Sequence, residues 1–241
     1  MLRPTAAALC LTAAAAASAA GPAVEDTMAQ RLLACTGCHG KQGRAAGDGY
    51  YPRLAGKPAG YLLNQLQHFR DDRRAYRLMT DLLEPLDDAY LAEIADHFAS
   101  IDVPYPPPAR ATAGRAQLER GRMLALHGDA SRGVPACAAC HGAALTGTMP
   151  AVPGLLGLPR DYLVAQLGAW RNGNRRAHAP DCMAKVAQRL APDDVSAVAH
   201  WLAAQPVRNG GKPAPAEPPT WPLPCGGVPQ RQVAAAADAS R

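Results

Sequence analysis

The chain has 241 residues, enough for two small domains, yet aromatic residues make up only 5% of it, with two Phe and three Trp. Two units of that size would need more large apolar side chains to build cores from protein alone, so something else is expected to fill them. The net charge of +5 is carried by scattered arginines with no binding motif beside them, which argues against a nucleic-acid partner.

The first twenty residues read as an export signal. Arg3 supplies the positive start, Leu9 to Ala17 form a short apolar stretch, and Ala17-Ser18-Ala19 or Ser18-Ala19-Ala20 offers small residues for cleavage. Cys10 would leave with this segment. No later stretch has the roughly 18 consecutive apolar residues of a spanning helix. The mature protein is therefore expected to be soluble and exported, to the periplasm if the source is Gram-negative.

A helix over about 24–34 is expected to run almost directly into Cys35-Thr36-Gly37-Cys38-His39. Cys-x-x-Cys-His is the attachment signature of a c-type haem. Two thiols add across the two vinyl groups of one porphyrin, and the adjacent His reaches under the ring to the iron. Pro58 then opens a helix whose Tyr61, Leu62, Gln65, Leu66 and Phe69 gather on one face. A further helix over about 87–100 places Leu91, Ile94, Ala95 and Phe98 on one stripe. Val103-Pro104-Tyr105-Pro106-Pro107-Pro108 follows as a semi-rigid linker.

The second half repeats the first. A helix over 114–127 leads into Cys137-Ala138-Ala139-Cys140-His141. Pro52, Leu54, Gly56 and Pro58 recur as Pro153, Leu155, Gly157 and Pro159. Tyr61-Leu62, Gln65-Leu66 and Phe69-Arg70 recur as Tyr162-Leu163, Gln166-Leu167 and Trp170-Arg171, all offset by 101. Later the offset becomes 104, matching Met79 with Met183 and Phe98 with Leu202. A helix from Pro192, with Asp193 and Asp194 in its first turn, should bury Val195, Val198, Ala199 and Leu202. No strand alternation stands out. Two copies of Cys-x-x-Cys-His in one exported chain disfavour a pair of small disulfides or a zinc ribbon, which would not need His after both pairs.

These features set the expected organisation: 1–20 signal, 21–103 first domain, 104–109 linker, 110–205 second domain, and 206–241 a Pro/Ala/Gly-rich tail that wraps the surface. Residues 21–108 hold nine Lys/Arg against twelve Asp/Glu, whereas 109–206 hold eleven against six. Such asymmetry suits docking of different partners, and equally suits undirected drift of surface charge.

Each iron needs a second axial ligand. Met79 lies 40 residues after His39 and Met183 lies 42 after His141. Their matched places in the repeat favour ligation over core filling, and a thioether favours ferrous iron. His68, His97 and His200 fall on helices beyond the pocket-facing stripe and read as surface or hydrogen-bonded side chains. Met28 and Met149 read as packing. Cys182, beside Met183, is the competitor worth naming. Its remaining possible partner is Cys225, and a disulfide between them would staple the tail to the second domain in an oxidising compartment.

Up to about residue 205 the chain resembles the diheme cytochrome c4 family, two fused class I cytochrome c domains. The resemblance rests on the two Cys-x-x-Cys-His-Gly motifs, the Pro-x-Leu-x-Gly-x-Pro-x-x-Tyr-Leu-x-x-Gln-Leu run in both halves, and Met79 and Met183. It implies an all-α fold of two tandem class I cytochrome c domains with two covalently bound haem c groups. It also implies that the carbonyls of Pro52 and Pro153 accept a hydrogen bond from the axial His, which orients the ring and tunes the iron. Three departures are plain. The first domain's leading helix lacks the Gly that Gly121 supplies in the second, the Cys182 and Cys225 pair is extra, and the tail is long.

The expected function is single-electron transfer without catalysis. Electrons would pass from a quinol-oxidising complex or another donor to a terminal oxidase or reductase. The alternatives are an electron-transfer subunit of a dehydrogenase, or a diheme enzyme of peroxidase or thiosulfate dehydrogenase type. Membrane association would then be peripheral, through partner complexes.

Overall fold

The computed structural model describes residues 25–47, 49–215 and 221–228. The expected signal, and the tail at 216–220 and from 229 onward, lie outside the described residues.

The first half opens with α1 (Met28–Arg31), capped by the Thr27 hydroxyl, which accepts from Gln30 N at 3.2 Å. The chain kinks at Leu32, and α2 (Leu33–His39) carries the whole first Cys motif. The single helix expected over 24–34 is thus broken, and its second part runs through the motif instead of ending before it. Next come α3 (Ala59–Arg70), α4 (Arg77–Leu83) and α5 (Asp88–Ser100). The Asp87 carboxylate caps α5 by accepting from Tyr90 N at 2.8 Å. The helix turns Leu91, Ile94, Ala95 and Phe98 inward to meet Leu32, Leu62 and Leu83. Phe98 is 1% exposed, so its burial alone contributes roughly 1.5–3 kcal/mol.

The second half has α6 (Arg115–Leu126), α7 (Ala138–His141), α8 (Arg160–Arg171), α9 (Cys182–Arg189) and α10 (Pro192–Ala203). Pro192 occupies the first turn of α10, where its missing N–H costs nothing. Val198, Ala199 and Leu202 pack with Ala125, Leu145, Leu156 and Leu163. Val195 joins Leu124, Val134 and Leu190. At Gly121 the backbones of α6 and α10 come so close that a Cβ would sit 2.2 Å from the Ala197 carbonyl oxygen. Among the described residues of the first half α1 is a single turn and does not pack along α5 as α6 packs along α10.

A short ladder, which no alternation in the sequence announced, joins β1 (Gly147–Thr148) to β2 (Val152–Pro153), antiparallel. The tail adds to it: Ala214 bridges Thr148 in parallel, with Met149 N donating to Ala214 O at 2.9 Å. The tail is therefore partly built into the second half, not only draped over it.

The two halves meet through the segments that follow α3 and α8, and where α3 approaches the β1–β2 ladder. Arg74 and Arg175 form an antiparallel bridge, with Ala75 N donating to Asn174 O at 2.8 Å and Arg176 N to Arg73 O at 2.7 Å. Gly60 N donates to Pro150 O at 3.1 Å. The Pro-rich linker is anchored more firmly than its prolines alone require. Arg53 donates to the carbonyls of Val103 and Pro104 and stacks on Tyr105 at 3.9 Å. The Tyr105 ring in turn fills the space where Cβ atoms on Gly157 and Gly211 would lie.

Candidate haem sites

One continuous cavity of about 780 Å³ is lined by residues of both halves. In the first half these include Cys35, His39, Pro52 and Met79, and in the second Cys137, Cys140, His141, Pro153 and Met183. The structure thus brings the sequence-predicted residues of each repeat to a common surface, except Cys38, which is exposed and lies outside the lining. Met79 and Met183 sit within helices α4 and α9, whose existence the sequence pattern did not announce.

His39 and His141 are both buried. The Nδ1 of His39 lies 2.8 Å from the Pro52 carbonyl oxygen, and that of His141 lies 2.7 Å from Pro153 O. A carbonyl only accepts, so each Nδ1 carries the proton and each Nε2 keeps its lone pair. Burial pushes both imidazoles below the usual histidine range, the carbonyls oppose this, and a nearby cation (Arg74 for His39, Lys57 for His141) pushes the same way. Both rings are therefore neutral and oriented, the state a metal-binding imidazole requires.

The thiols are set the other way. Burial pushes Cys137 up to about 11 and also raises Cys35 and Cys140. Cys182 is bonded to Cys225, with Cα atoms 5.0 Å apart. Gly226 N donates to Pro180 O at 3.0 Å, and Asn64 Nδ2 of α3 donates to Gly227 O at 2.8 Å. The tail therefore touches both halves.

Several functional side chains escaped sequence reasoning. Arg74 and Arg175 are buried and interlaced. Arg74 donates to Gln65 Oε1 at 3.0 Å, Gln166 Oε1 at 2.7 Å and the Tyr162 hydroxyl at 3.0 Å. Arg175 donates to Gln166 Oε1 and Gln65 Oε1, both at 2.8 Å. Each also stacks on an aromatic ring of its own half, Arg74 on Phe69 and Arg175 on Trp170. Their spacing of 101, the same as the haem-side repeat, was the available signal. Neither has a carboxylate partner among the described residues, and the buried Trp170 Nε1 has no hydrogen-bond acceptor. All three line the cavity. A buried cation pair and an orphan donor call for an anionic acceptor, and the carboxylates of a haem supply one. The residues present therefore fit the group.

Two sequence expectations fail. His68 is neither at the surface nor satisfied: it is 2% exposed, its Nε2 lacks a partner, and its ring lies 4.7 Å from that of His178. Burial and the neighbouring His178 push it down to about 4. Its helix turns that face toward the other half, which a single repeat's periodicity cannot show. Met149 is 40% exposed because it lies in the β1–β2 turn and not against a core.

No family model matches the chain. It is 37% identical over 188 residues to a "thiosulfate dehydrogenase electron acceptor" of Thiomonas intermedia (strain K12), covering 78% of this chain and 86% of that protein. It is 32% identical over 176 residues to cytochrome c4 of Pseudomonas aeruginosa, covering 71% and 84%. The crystal structure of reduced recombinant cytochrome c4 from Pseudomonas stutzeri superposes with a TM-score of 0.63 at 29% identity, covering 73% and 95%. Fold and site together define a diheme electron-transfer cytochrome, all-α and built from two class I cytochrome c units, with two covalently bound haem c groups. The chain belongs to the cytochrome c4-like family.

Proposed function

We propose that the protein is an exported carrier of single electrons, with one haem held by Cys35, Cys38, His39 and Met79 and the other by Cys137, Cys140, His141 and Met183. The observation that carries this reading is the paired geometry at the two histidines, each oriented by a proline carbonyl at the same position of its repeat. The haem iron, when bound, supplies the one-electron couple. The chain's own residues do the rest. The prolines fix the imidazoles, the methionines offer soft neutral donors that favour ferrous iron, and the apolar walls of α3, α5, α8 and α10 exclude water. The disulfide at Cys182 supports Met183 as the ligand by occupying the competing sulfur.

On this reading the units span 21–103 and 110–205, joined by 104–109, and residues 1–20 direct export to the periplasm. Among the described residues no helix is long and apolar enough to cross a membrane, and on this reading membrane association is peripheral, through partner complexes. The partners are redox proteins: a quinol-oxidising complex or a dehydrogenase as donor, and a terminal oxidase or reductase as acceptor. Carbon monoxide added to the fully reduced protein tests the ligand set. The expected result is no change in the visible spectrum, because both irons keep their methionines. Stoichiometric binding at one haem would overturn it and bring the enzyme reading forward.

A specific observation favours one donor. The similarity to a relative named as a thiosulfate dehydrogenase electron acceptor extends over 78% of the chain, which supports a thiosulfate-oxidising enzyme as the source of electrons. Mixing the oxidised protein with such a dehydrogenase and thiosulfate should reduce both haems within seconds. Reduction no faster than with thiosulfate alone would remove this donor and leave the carrier reading in place.

A further inference from the structure

Lys57 belongs to the first half by sequence and to the second by position. It is 4% exposed, and its Nζ donates to Gly154 O at 3.0 Å. Gly154 follows Pro153, the residue whose carbonyl orients His141. Lys57 also lines the cavity that both halves share, and its charge acts on His141. The docking of α3 fixes this reach, since Gly60 N is bound to Pro150 O three residues along. Among the described residues the ammonium has no carboxylate partner.

The repeat shows that the second half has no cation of its own at this position. The counterpart of Gly154 in the first half is Arg53, 101 positions earlier. Arg53 places a buried cation directly after Pro52. The second half has no side chain at that place, and a Cβ on Gly154 would lie 2.5 Å from Thr146 O. Lys57 therefore brings across the interface a charge that the second repeat does not carry. The exchange is not returned: the counterpart of Lys57 is Leu158, an apolar residue packed against the second core. Burial, with the Arg53 charge adding to it, lowers Lys57 to about 8, which leaves it protonated at neutral pH.

We propose that Lys57 is an electrostatic tuning residue acting in trans, a first-half lysine that raises the reduction potential of the second haem. A buried positive charge favours the state with the extra electron, and its influence is strongest on the nearer site. The inference rests on the reading that a haem is held at Cys137, Cys140 and His141. It assigns the first half a part in setting the driving force at the second, beyond holding it in place.

The test is a spectroelectrochemical titration of the two-haem protein, with each potential assigned through the paramagnetically shifted resonances of its own haem methyls. Lys57→Met is expected to lower the second haem's reduction equilibrium on the order of tenfold, about 59 mV for one electron, and to leave the first haem unchanged. Lys57→Arg is expected to restore it. Two haems with both potentials unchanged in Lys57→Met, equal shifts at both haems, or no rescue by arginine would each overturn the inference while leaving the carrier reading intact. A wild-type protein with no haem on Cys137 and Cys140, shown by mass and by pyridine haemochrome content, would overturn both.

Discussion

Arg74 and Arg175 are stacked on rings of their own halves yet hydrogen-bonded into each other's, so that each glutamine oxygen, of Gln65 and of Gln166, accepts from both guanidinium groups. Two like charges buried side by side repel, and burial together with the Arg74 charge holds Arg175 below the usual arginine range. Such an arrangement is stable only when counter-charge is resident. The cavity that both side chains line is where the carboxylates of a bound haem would supply it.

Arg175→Leu consequently destabilises the haem-loaded protein, although it relieves a repulsion. Hydrogen bonds from a charged donor are worth roughly 1.5–3 kcal/mol each, and the resident anion would lose one of its cations. Guanidinium unfolding of the oxidised holoprotein should show a lower midpoint with an unchanged slope. A midpoint equal to or above wild type would mean that Arg175 faces no counter-anion.

Acid sensitivity should concentrate in the second half. Asp194 is buried and accepts from Arg120 at 2.8 Å and Arg132 at 2.8 Å, and Asp129 accepts from the same Arg120 at 2.8 Å. The hydrogen bonds from Arg120 hold Asp194 below the usual carboxylate range; those from Ser131 and then Arg120 bring Asp129 down to about 2. Both folded values lie under the unfolded value near ~3.9. The stabilisation is therefore fully present above pH ~4 and is lost as pH falls toward about 2. Asp194→Asn should flatten the pH dependence of the unfolding midpoint across that window. A variant that keeps the wild-type slope would show that the network does not set acid stability.

How far the sequence could be read follows from what each signal depends on. The haem motifs and the stripes of α3, α5, α8 and α10 obey local spacing, so Leu91 to Phe98 and Val195 to Leu202 point inward as expected. Gly121 was legible only through the family resemblance; the structure supplies the reason, because a helix that must touch another backbone needs a residue without a side chain. The interface was not legible. Arg74, Arg175, Lys57 and His68 are polar residues that periodicity assigns to solvent, and only the docking of one half on the other buries them. The helices α4 and α9 were also missed, being short, seven and eight residues, and held by what they cover more than by their own patterns.

The low aromatic content of the chain, 5%, has an energetic consequence. The cavity of about 780 Å³ is lined by side chains of both cores, among them Leu62, Leu83, Phe98, Leu163, Val198 and Leu202, whose apolar surface faces water when no haem covers it. Small domains are stable by only ~5–15 kcal/mol, so the protein moiety alone does not pay for its own fold. Replacing Cys35, Cys38, Cys137 and Cys140 with Ala, in a protein produced without haem, should abolish cooperative unfolding and most of the far-ultraviolet helical signal. Replacing Cys137 and Cys140 alone should unfold α6 to α10 and leave α3 and α5 helical and still packed around the first haem. A compact apoprotein with native helicity and a sharp melting transition would show that the haem is not part of the core.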